Sequence, residues 1–130
     1  MKFYDARRAA LLPVQHLAWI GDAVYELYAR QRLVSAGASP GKPAHRASVA
    51  LTSAGGQARA AARIQEHLTA QELELLRRGR NVKGLPRNSP EYCLATGLEV
   101  VVGWLWLSRQ HRRLEELLEI IMTGGEPREG

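Results

Sequence analysis

The chain of 130 residues has little of several features that define common protein classes. It has one cysteine, Cys93, which excludes an internal disulfide and a thiolate zinc site. Its longest uncharged apolar run, Val100 to Leu107, is far shorter than the roughly 20 residues that cross a bilayer. The first residues carry Asp5 and two arginines and do not match a secretory signal peptide. We therefore expect one soluble cytoplasmic domain with a single core and no membrane partner.

Acidic residues are also missing from two long stretches. No Asp or Glu lies between Leu27 and Gln65, or between Leu75 and Pro90, although both stretches are rich in arginine. The formal net charge is +5, and a hydrophobic content of 45% fits a folded domain better than a basic tail. Such a surface predicts a polyanionic partner, without choosing between DNA and RNA. The alternative is a set of solvated arginines on helix faces.

Apolar residues recur at helical spacing and no segment alternates like a strand, so the sequence predicts an all-α fold. Thr69 and Glu72 form a capping-box pattern, and Ser89 with Pro90 is typical of a helix start. A break at Gly55 and Gly56 would divide the second helical region in two. The predicted helical regions are about 13–36, 43–68, 69–78, 90–108 and 111–122. A basic loop is expected at 79–88, and the domain at 1–123 is expected to end in a frayed tail at 124–130.

Two acidic residues lie where a simple core helix would not place them. Asp22 and Glu99 each interrupt an apolar helical segment, and each has a glycine close by, Gly21 and Gly97. A glycine inside a helix costs roughly 1 kcal/mol relative to alanine, so it usually marks a close approach of another backbone. Two carboxylates on closely packed helices would converge on one Mg²⁺, which prefers oxygen ligands. This is a minimal site for metal-assisted phosphodiester hydrolysis.

The same two acids also fit a structural role. Each carboxylate would then be neutralised by an arginine such as Arg30 or Arg109, and the pattern alone favours neither reading. Glu26 lies one helical turn after Asp22. Glu26 either contributes to the metal site indirectly, through a water molecule or from the outer coordination sphere, or serves as a helix-surface acid.

Four segments in order resemble the Mini-ribonuclease III family, which consists of ribonuclease III catalytic domains without a double-stranded-RNA-binding domain. They are the segment LAWIGDAVYELY at 17–28, PAHRA at 43–47, RRGRN at 77–81 and the helix at 92–107 that contains TGLE. The matching region spans about 12–118. The resemblance implies a helical bundle of the ribonuclease III endonuclease type. It also implies a homodimeric, Mg²⁺-dependent endonuclease for double-stranded RNA that matures precursor large-subunit (23S) ribosomal RNA.

The resemblance also implies roles for particular residues. The aspartate of the Gly-Asp-Ala motif and the late glutamate, the catalytic and metal-holding acids of the family, carry over to Asp22 and Glu99. Two further acids of full-length ribonuclease III are replaced by Ala18 and Thr96, as in mini-type members. This leaves open whether one or two ions bind. The alternatives are a non-catalytic RNA-binding or ribosome-assembly protein with the same fold, and a helical DNA-binding protein.

A length of 130 residues leads us to expect that the catalytic domain itself holds the RNA. A-form RNA is contacted mainly through phosphates and 2′-hydroxyls, which suits basic residues near loops. The candidate RNA-binding residues are Lys42, His45, Arg46, Arg77, Arg78, Arg80 and Lys83.

The apolar stretch from Val100 to Leu107 has two interpretations. The first is a central core helix. The second, an additional hypothesis that the resemblance favours, is that the stretch forms a dimer seam. Trp19, Trp104 and Trp106 are expected to pack in the protein, because an RNA duplex does not offer unstacked bases.

Overall fold

The structure is a computed structural model that describes residues 1–82, 84 and 89–123. Across these residues it contains α-helices and one short 3₁₀ helix at Gln65–His67, with no strand, so the all-α prediction is confirmed. None of the described helices is long and apolar enough to cross a bilayer. The α-helices are α1 (Ala6–Ala10), α2 (Val14–Ser35), α3 (Lys42–Thr52), α4 (Ala54–Ile64), α5 (Ala70–Arg80), α6 (Pro90–Leu107) and α7 (His111–Thr123).

Helix α6 is the centre of the fold. It packs most extensively against α2, α5 and α4, and it also contacts α1 and α7. Val100, Val101 and Leu105 are completely buried, because neighbours cover this helix on all sides. The core-helix interpretation of Val100 to Leu107 is therefore confirmed. The interpretation as a dimer seam is wrong, since this chain already buries nearly the whole stretch.

Glycines allow α6 to touch its neighbours backbone to backbone. A Cβ atom on Gly21 of α2 would lie 1.7 Å from the Glu99 carbonyl oxygen, and one on Gly103 would lie 1.9 Å from that of Leu17. A Cβ on Gly97 would lie 2.7 Å from the Leu76 carbonyl oxygen, on α5. The glycines thus mark close approaches of neighbouring backbones, as predicted. On α6, however, Gly97 is the point of contact with α5, and Gly103 is the point of contact with α2.

The predicted helix boundaries hold closely where local signals set them. The capping box is present, with Thr69 Oγ1 accepting from the Glu72 N–H at 3.2 Å and Glu72 Oε1 accepting from the Thr69 N–H at 2.9 Å. The second helical region is divided at Ser53, whose hydroxyl accepts from the Gly56 N–H. The break therefore precedes the two glycines, which lie in the first turn of α4.

Two boundary predictions need correction. Helix α5 continues to Arg80, so Arg80, which was expected on the basic loop, lies on the last turn of the helix. The short α1 was missed, although Asp5 caps it by accepting from the Arg8 N–H at 2.8 Å. Lys83 and the tail at 124–130 lie outside the described residues.

Candidate active site at the crossing of α2 and α6

Asp22 and Glu99 meet where α2 crosses α6. The contact of Gly21 with the Glu99 backbone brings the two helices together here, and the two side-chain carboxyl groups are hydrogen-bonded to each other. Glu99 is half-buried, whereas Asp22 is exposed, more than its apolar surroundings in the sequence had indicated. The structure therefore brings the two predicted acids together at a surface that opens to solvent.

The acid pair carries an electrostatic cost. Burial raises the pKa of Glu99 from its ordinary value of 4.5 to about 8, and the charge of Asp22 and the hydrogen bond between the carboxyl groups add to this rise. Two carboxyl groups in contact resist carrying two negative charges unless a cation lies between them. In the absence of a cation, the pair therefore retains a proton at neutral pH.

The arginines proposed as structural partners are engaged elsewhere. Arg30 donates to Glu26 at 2.6 Å, and the guanidinium of Arg109 lies 4.4 Å from the centroid of the Phe3 ring. Within residues 1–82, 84 and 89–123, neither acid of the pair has an ion pair with an arginine or lysine. The structural reading of the two acids is therefore not supported in this part of the chain.

A divalent cation fits this set of donors. Mg²⁺ commonly takes one or two carboxylates from the protein and completes its shell with water and substrate phosphate. The described residues contain no cluster of three or more potential ligands from His, Cys, Asp and Glu. Thr96, one helical turn before Glu99, donates its hydroxyl to the Tyr92 carbonyl at 3.0 Å. The protein therefore supplies two carboxylates, Asp22 and Glu99, to a site of this kind.

The candidate RNA-binding residues form two groups. Lys42, His45 and Arg46 are exposed in the first turns of α3. On α5, Arg77 is bound to Glu74 through two hydrogen bonds.

The other two α5 candidates differ in how they are held. Arg78 is half-buried and donates to the Ala10 carbonyl at 2.9 Å, so its guanidinium anchors α1. Arg80 is exposed, and its side chain packs on α6 at Gly97, two residues before Glu99. Arg80 stays a candidate because its side chain is exposed and makes no hydrogen bond among the described residues, although residues two apart in a helix lie on different faces, so its contact at Gly97 does not place it at the acid pair.

Sequence reasoning missed an exposed apolar face on α2. Trp19 is 79% exposed, so it does not pack within this chain, whereas Trp104 is buried as expected. Trp106 is half-buried and stacks on His111. Helix α2 borders a cavity of about 470 Å³, whose lining residues include Ile20, the next residue in the chain after Trp19. The sequence did contain a signal for this exposed face: α2 has apolar residues on two faces, whereas a surface helix needs only one apolar face to pack on the core.

Comparison with known proteins places the chain in a family. Residues 15–110 match the model of the Ribonuclease III domain. The chain is 39% identical over 112 residues to the Mini-ribonuclease 3 of Symbiobacterium thermophilum, covering 83% of this chain and 86% of that protein. It is 41% identical over 108 residues to the Mini-ribonuclease 3 of Enterococcus faecalis, covering 78% and 82%.

A crystal structure of a protein from Fusobacterium nucleatum has the same fold. Its TM-score is 0.78 at 24% sequence identity, and the match covers 89% of this chain and 96% of that one. The family match and the relatives show that the chain belongs to the ribonuclease III domain family, in its Mini-ribonuclease III group, and that it is an endoribonuclease. The resemblance seen in the four sequence segments is thereby confirmed.

Proposed function

We propose that this endoribonuclease cleaves double-stranded RNA and that Asp22 and Glu99 are its catalytic residues, which hold Mg²⁺. The observation that carries the proposal is the contact between their carboxyl groups at the α2–α6 crossing, without a basic partner among the described residues. When bound, the ion supplies a neutralising charge for the scissile phosphate and lowers the pKa of a water molecule.

The fold fixes the relative position of the two carboxyl groups. Because α2 and α6 touch through Gly21 and Gly103, backbone packing sets their separation before substrate arrives. Such preorganisation avoids the cost of moving charged groups during the reaction. Glu99 loses its proton when it becomes a ligand, since a cation favours the ionised carboxylate. Asp22 is exposed, and it presents its carboxylate on the side from which the RNA approaches.

The RNA duplex is held by the catalytic domain through its basic residues. Lys42, His45 and Arg46 on α3, and Arg80 on α5, are exposed and contact phosphates and 2′-hydroxyls of an A-form helix. Arg77, Arg78 and Lys83 remain candidates from the sequence. The family resemblance supports precursor 23S ribosomal RNA in the cytoplasm as the substrate.

A homodimer accounts for the exposed face of α2. Trp19 is exposed on the helix that borders a cavity whose walls include Ile20, Leu27 and Trp106. A twofold axis brings the projecting side chain of one copy to the cavity of the other, because such an interface uses the same patch on both subunits. Two acid pairs then act on the two strands of a duplex. This replaces the α6 stretch as the proposed location of the dimer seam.

The test is a cleavage assay on duplex RNA with Mg²⁺. The wild type is expected to cut, and chelation by EDTA, Asp22→Asn or Glu99→Gln should each abolish cutting while RNA binding persists. The matched control is Glu91→Gln, which removes an exposed acid from the first turn of the same helix α6 and should leave cutting unchanged. Intact RNA from the wild type, or full activity of Asp22→Asn, would favour the non-catalytic RNA-binding alternative.

The same preparations test the finer parts of the proposal. Competition between duplex RNA and duplex DNA separates an RNA enzyme from a DNA-binding protein. A precursor 23S transcript should be cut at defined positions that an unrelated duplex lacks. Sedimentation should show a dimer that Trp19→Lys converts to a folded monomer, and a wild-type monomer would contradict the proposed interface.

A further inference from the structure

A second cavity lies one helical turn from the acid pair. It measures about 330 Å³ and is enclosed by the C-terminal half of α2 and by α3. We call it the α2–α3 cavity. Its apolar wall includes Leu33 and Val49, and Arg30, His45 and Ser48 are among its polar lining residues. A cavity of this size with a few polar groups on apolar walls is typical of a ligand site.

Ser48 is the first sign that this cavity receives a polar ligand. The residue is 8% exposed and lines the cavity, and its hydroxyl makes no hydrogen bond in the part of the chain that the structure describes. Its carbonyl is engaged, since it accepts from Thr52 Oγ1 at 3.0 Å. The hydroxyl is not among the buried side-chain atoms that lack a partner, so it stays open to the cavity. The Ser48 hydroxyl is therefore a donor available to a ligand that enters the cavity.

The start of α3 is the second sign. Its N-cap residue is Gly41, which lines the cavity and has no side chain to bind the first backbone N–H groups. No acidic residue lies in the first turn. The N–H groups of Lys42 and Ala44 are thus left without a cap, and the helix dipole favours an anion at this end.

Arg30 supplies a cation at the same cavity. Its Nη2 donates to Glu26 Oε1 at 2.6 Å, and its remaining N–H groups have no partner among the described residues. A guanidinium has five donors in a planar fork, so one bond to a carboxylate fixes its orientation and leaves the others available. Glu26 therefore acts as a positioning residue for Arg30.

We propose that the α2–α3 cavity binds a phosphodiester group of the RNA strand that the acid pair cuts, an inference that rests on the proposed function. Arg30, the uncapped N–H groups of α3 and the Ser48 hydroxyl are its donors, and the apolar wall contacts the adjoining ribose. Arg30 lies two helical turns after Asp22, roughly 12 Å along α2 at 1.5 Å per residue. The bound phosphate is therefore a near neighbour of the scissile one.

The main test measures duplex RNA binding in an Asp22→Asn background, where no cleavage interferes. Arg30→Gln should weaken binding roughly tenfold and reduce the slope of log K against log salt by about one. The matched control is Arg32→Gln, on the same helix and also paired with an acid, Glu119, but outside this cavity. Equal effects of the two variants, or an unchanged salt slope in Arg30→Gln, would overturn the proposal.

A second variant separates binding from folding. Ser48→Ala should leave the melting temperature nearly unchanged, because the removed hydroxyl makes no hydrogen bond with the described residues, while duplex RNA affinity falls roughly threefold. In the cleaving protein, Arg30→Gln and Ser48→Ala should raise KM and leave kcat nearly unchanged. A loss of kcat alone would contradict a binding subsite.

A third arm distinguishes an RNA phosphate from a small ligand. Inorganic phosphate and a nucleoside 5′-monophosphate are titrated into the wild type and into Arg30→Gln. Weak binding of both, with competition against duplex RNA, supports the proposal. Tight nucleotide binding that depends on Arg30, together with unchanged RNA affinity in that variant, would reassign the cavity to a free nucleotide. Absence of RNA cleavage by the wild type would refute the proposed function, while Arg30-dependent RNA binding would still be measured separately.

Discussion

Two acidic centres of this protein contrast sharply, although both lie against apolar surroundings. Glu72 is 2% exposed, and both of its carboxylate oxygens accept hydrogen bonds from Arg113, at 3.0 and 2.8 Å. The Thr69 N–H donates to the same carboxylate at 2.9 Å. At the crossing of α2 and α6, by contrast, Asp22 and Glu99 have mainly each other. Among the described residues, the carboxylate of Glu72 is paired with an arginine and a backbone N–H, whereas the carboxyl groups of Asp22 and Glu99 have no basic partner.

The pKa values of the two glutamates move in opposite directions for this reason. Burial alone would raise the pKa of Glu72, but the hydrogen bonds from Arg113 and Thr69 outweigh it and the pKa is lowered. Burial and the neighbouring Asp22 raise the pKa of Glu99 to about 8. An acid whose oxygens are all occupied by donors of its own chain holds structure together. A pair of acids without such donors is suited to a cation that arrives from solution.

The largest effect is expected from Gly21→Ala, which separates the helices that carry the acid pair. The new Cβ would lie 1.7 Å from the Glu99 carbonyl oxygen, so α2 must move away from α6. We expect the free energy of unfolding to fall by about 3 kcal/mol and RNA cleavage to be lost in the molecules that stay folded. Urea unfolding and a cleavage assay measure the two effects.

The control for Gly21→Ala is Gly55→Ala, in the first turn of α4. There the nearest atom to a new Cβ is Arg59 Nη1 at 3.4 Å, the end of a flexible side chain. Stability should change by less than about 0.5 kcal/mol and cleavage should persist. If both variants cleave normally, the close contact of α2 with α6 does not position the acid pair.

The next largest effect is expected from Glu72→Gln, which breaks the ion pair of Glu72 with Arg113. It leaves the charge of Arg113 without its main partner and should cost about 2 kcal/mol, less than for a fully buried pair because the Arg113 side chain is 23% exposed. Cleavage per folded molecule should not change. Glu116→Gln removes the exposed partner of the same arginine and should cost less than about 0.5 kcal/mol. If fully folded Glu72→Gln protein no longer cleaved RNA, Glu72 would not be a purely structural acid and the contrast with the Asp22–Glu99 pair would fail.

Local signals in the sequence predict one of the two interactions that hold Glu72, the capping box with Thr69, but not the ion pair with Arg113. The capping box of Thr69 with Glu72 follows from residues three apart, and the structure contains it. The pairing of Glu72 with Arg113 joins residues 41 positions apart, and no local pattern indicates it. The same limit applies to Arg78, which looks like a free basic residue in sequence but donates to the Ala10 carbonyl, 68 positions away.

The acid pair was easier to locate than the surfaces around it. Asp22 and Glu99 stand out because a charge in an apolar helix is costly and because the family motifs contain them. Apolar stretches are more ambiguous. Their composition indicates burial, but it does not tell whether they pack inside one chain or against a second copy. The chain buries Val100 to Leu107 in its own core, whereas it leaves Trp19 exposed. Which apolar stretch is buried within the chain depends on the packing of α6 between its neighbouring helices, which the sequence alone does not reveal.

The remaining comparison is how the stability contributed by each centre depends on pH. The pKa of Glu99 is about 8 in the folded chain against an ordinary 4.5, so its protonated form stabilises the fold below pH 4.5 and this contribution is lost as the pH rises to 8. Glu72, with its lowered pKa, behaves in the opposite way and loses its contribution only as the pH falls below its ordinary range.

In EDTA, therefore, the melting temperature of the wild type should decline between pH 5 and 8 relative to Glu99→Gln, while Glu72→Gln should decline in parallel with the wild type. Parallel profiles for the wild type and Glu99→Gln would mean that the acid pair is not under electrostatic strain. Mg²⁺ should oppose the decline, because it binds the ionised carboxylates and stabilises the folded state in proportion to its occupancy. Its stabilising effect should therefore grow through the same pH range in the wild type and be much weaker in Glu99→Gln, which keeps the shape of the side chain but not its charge.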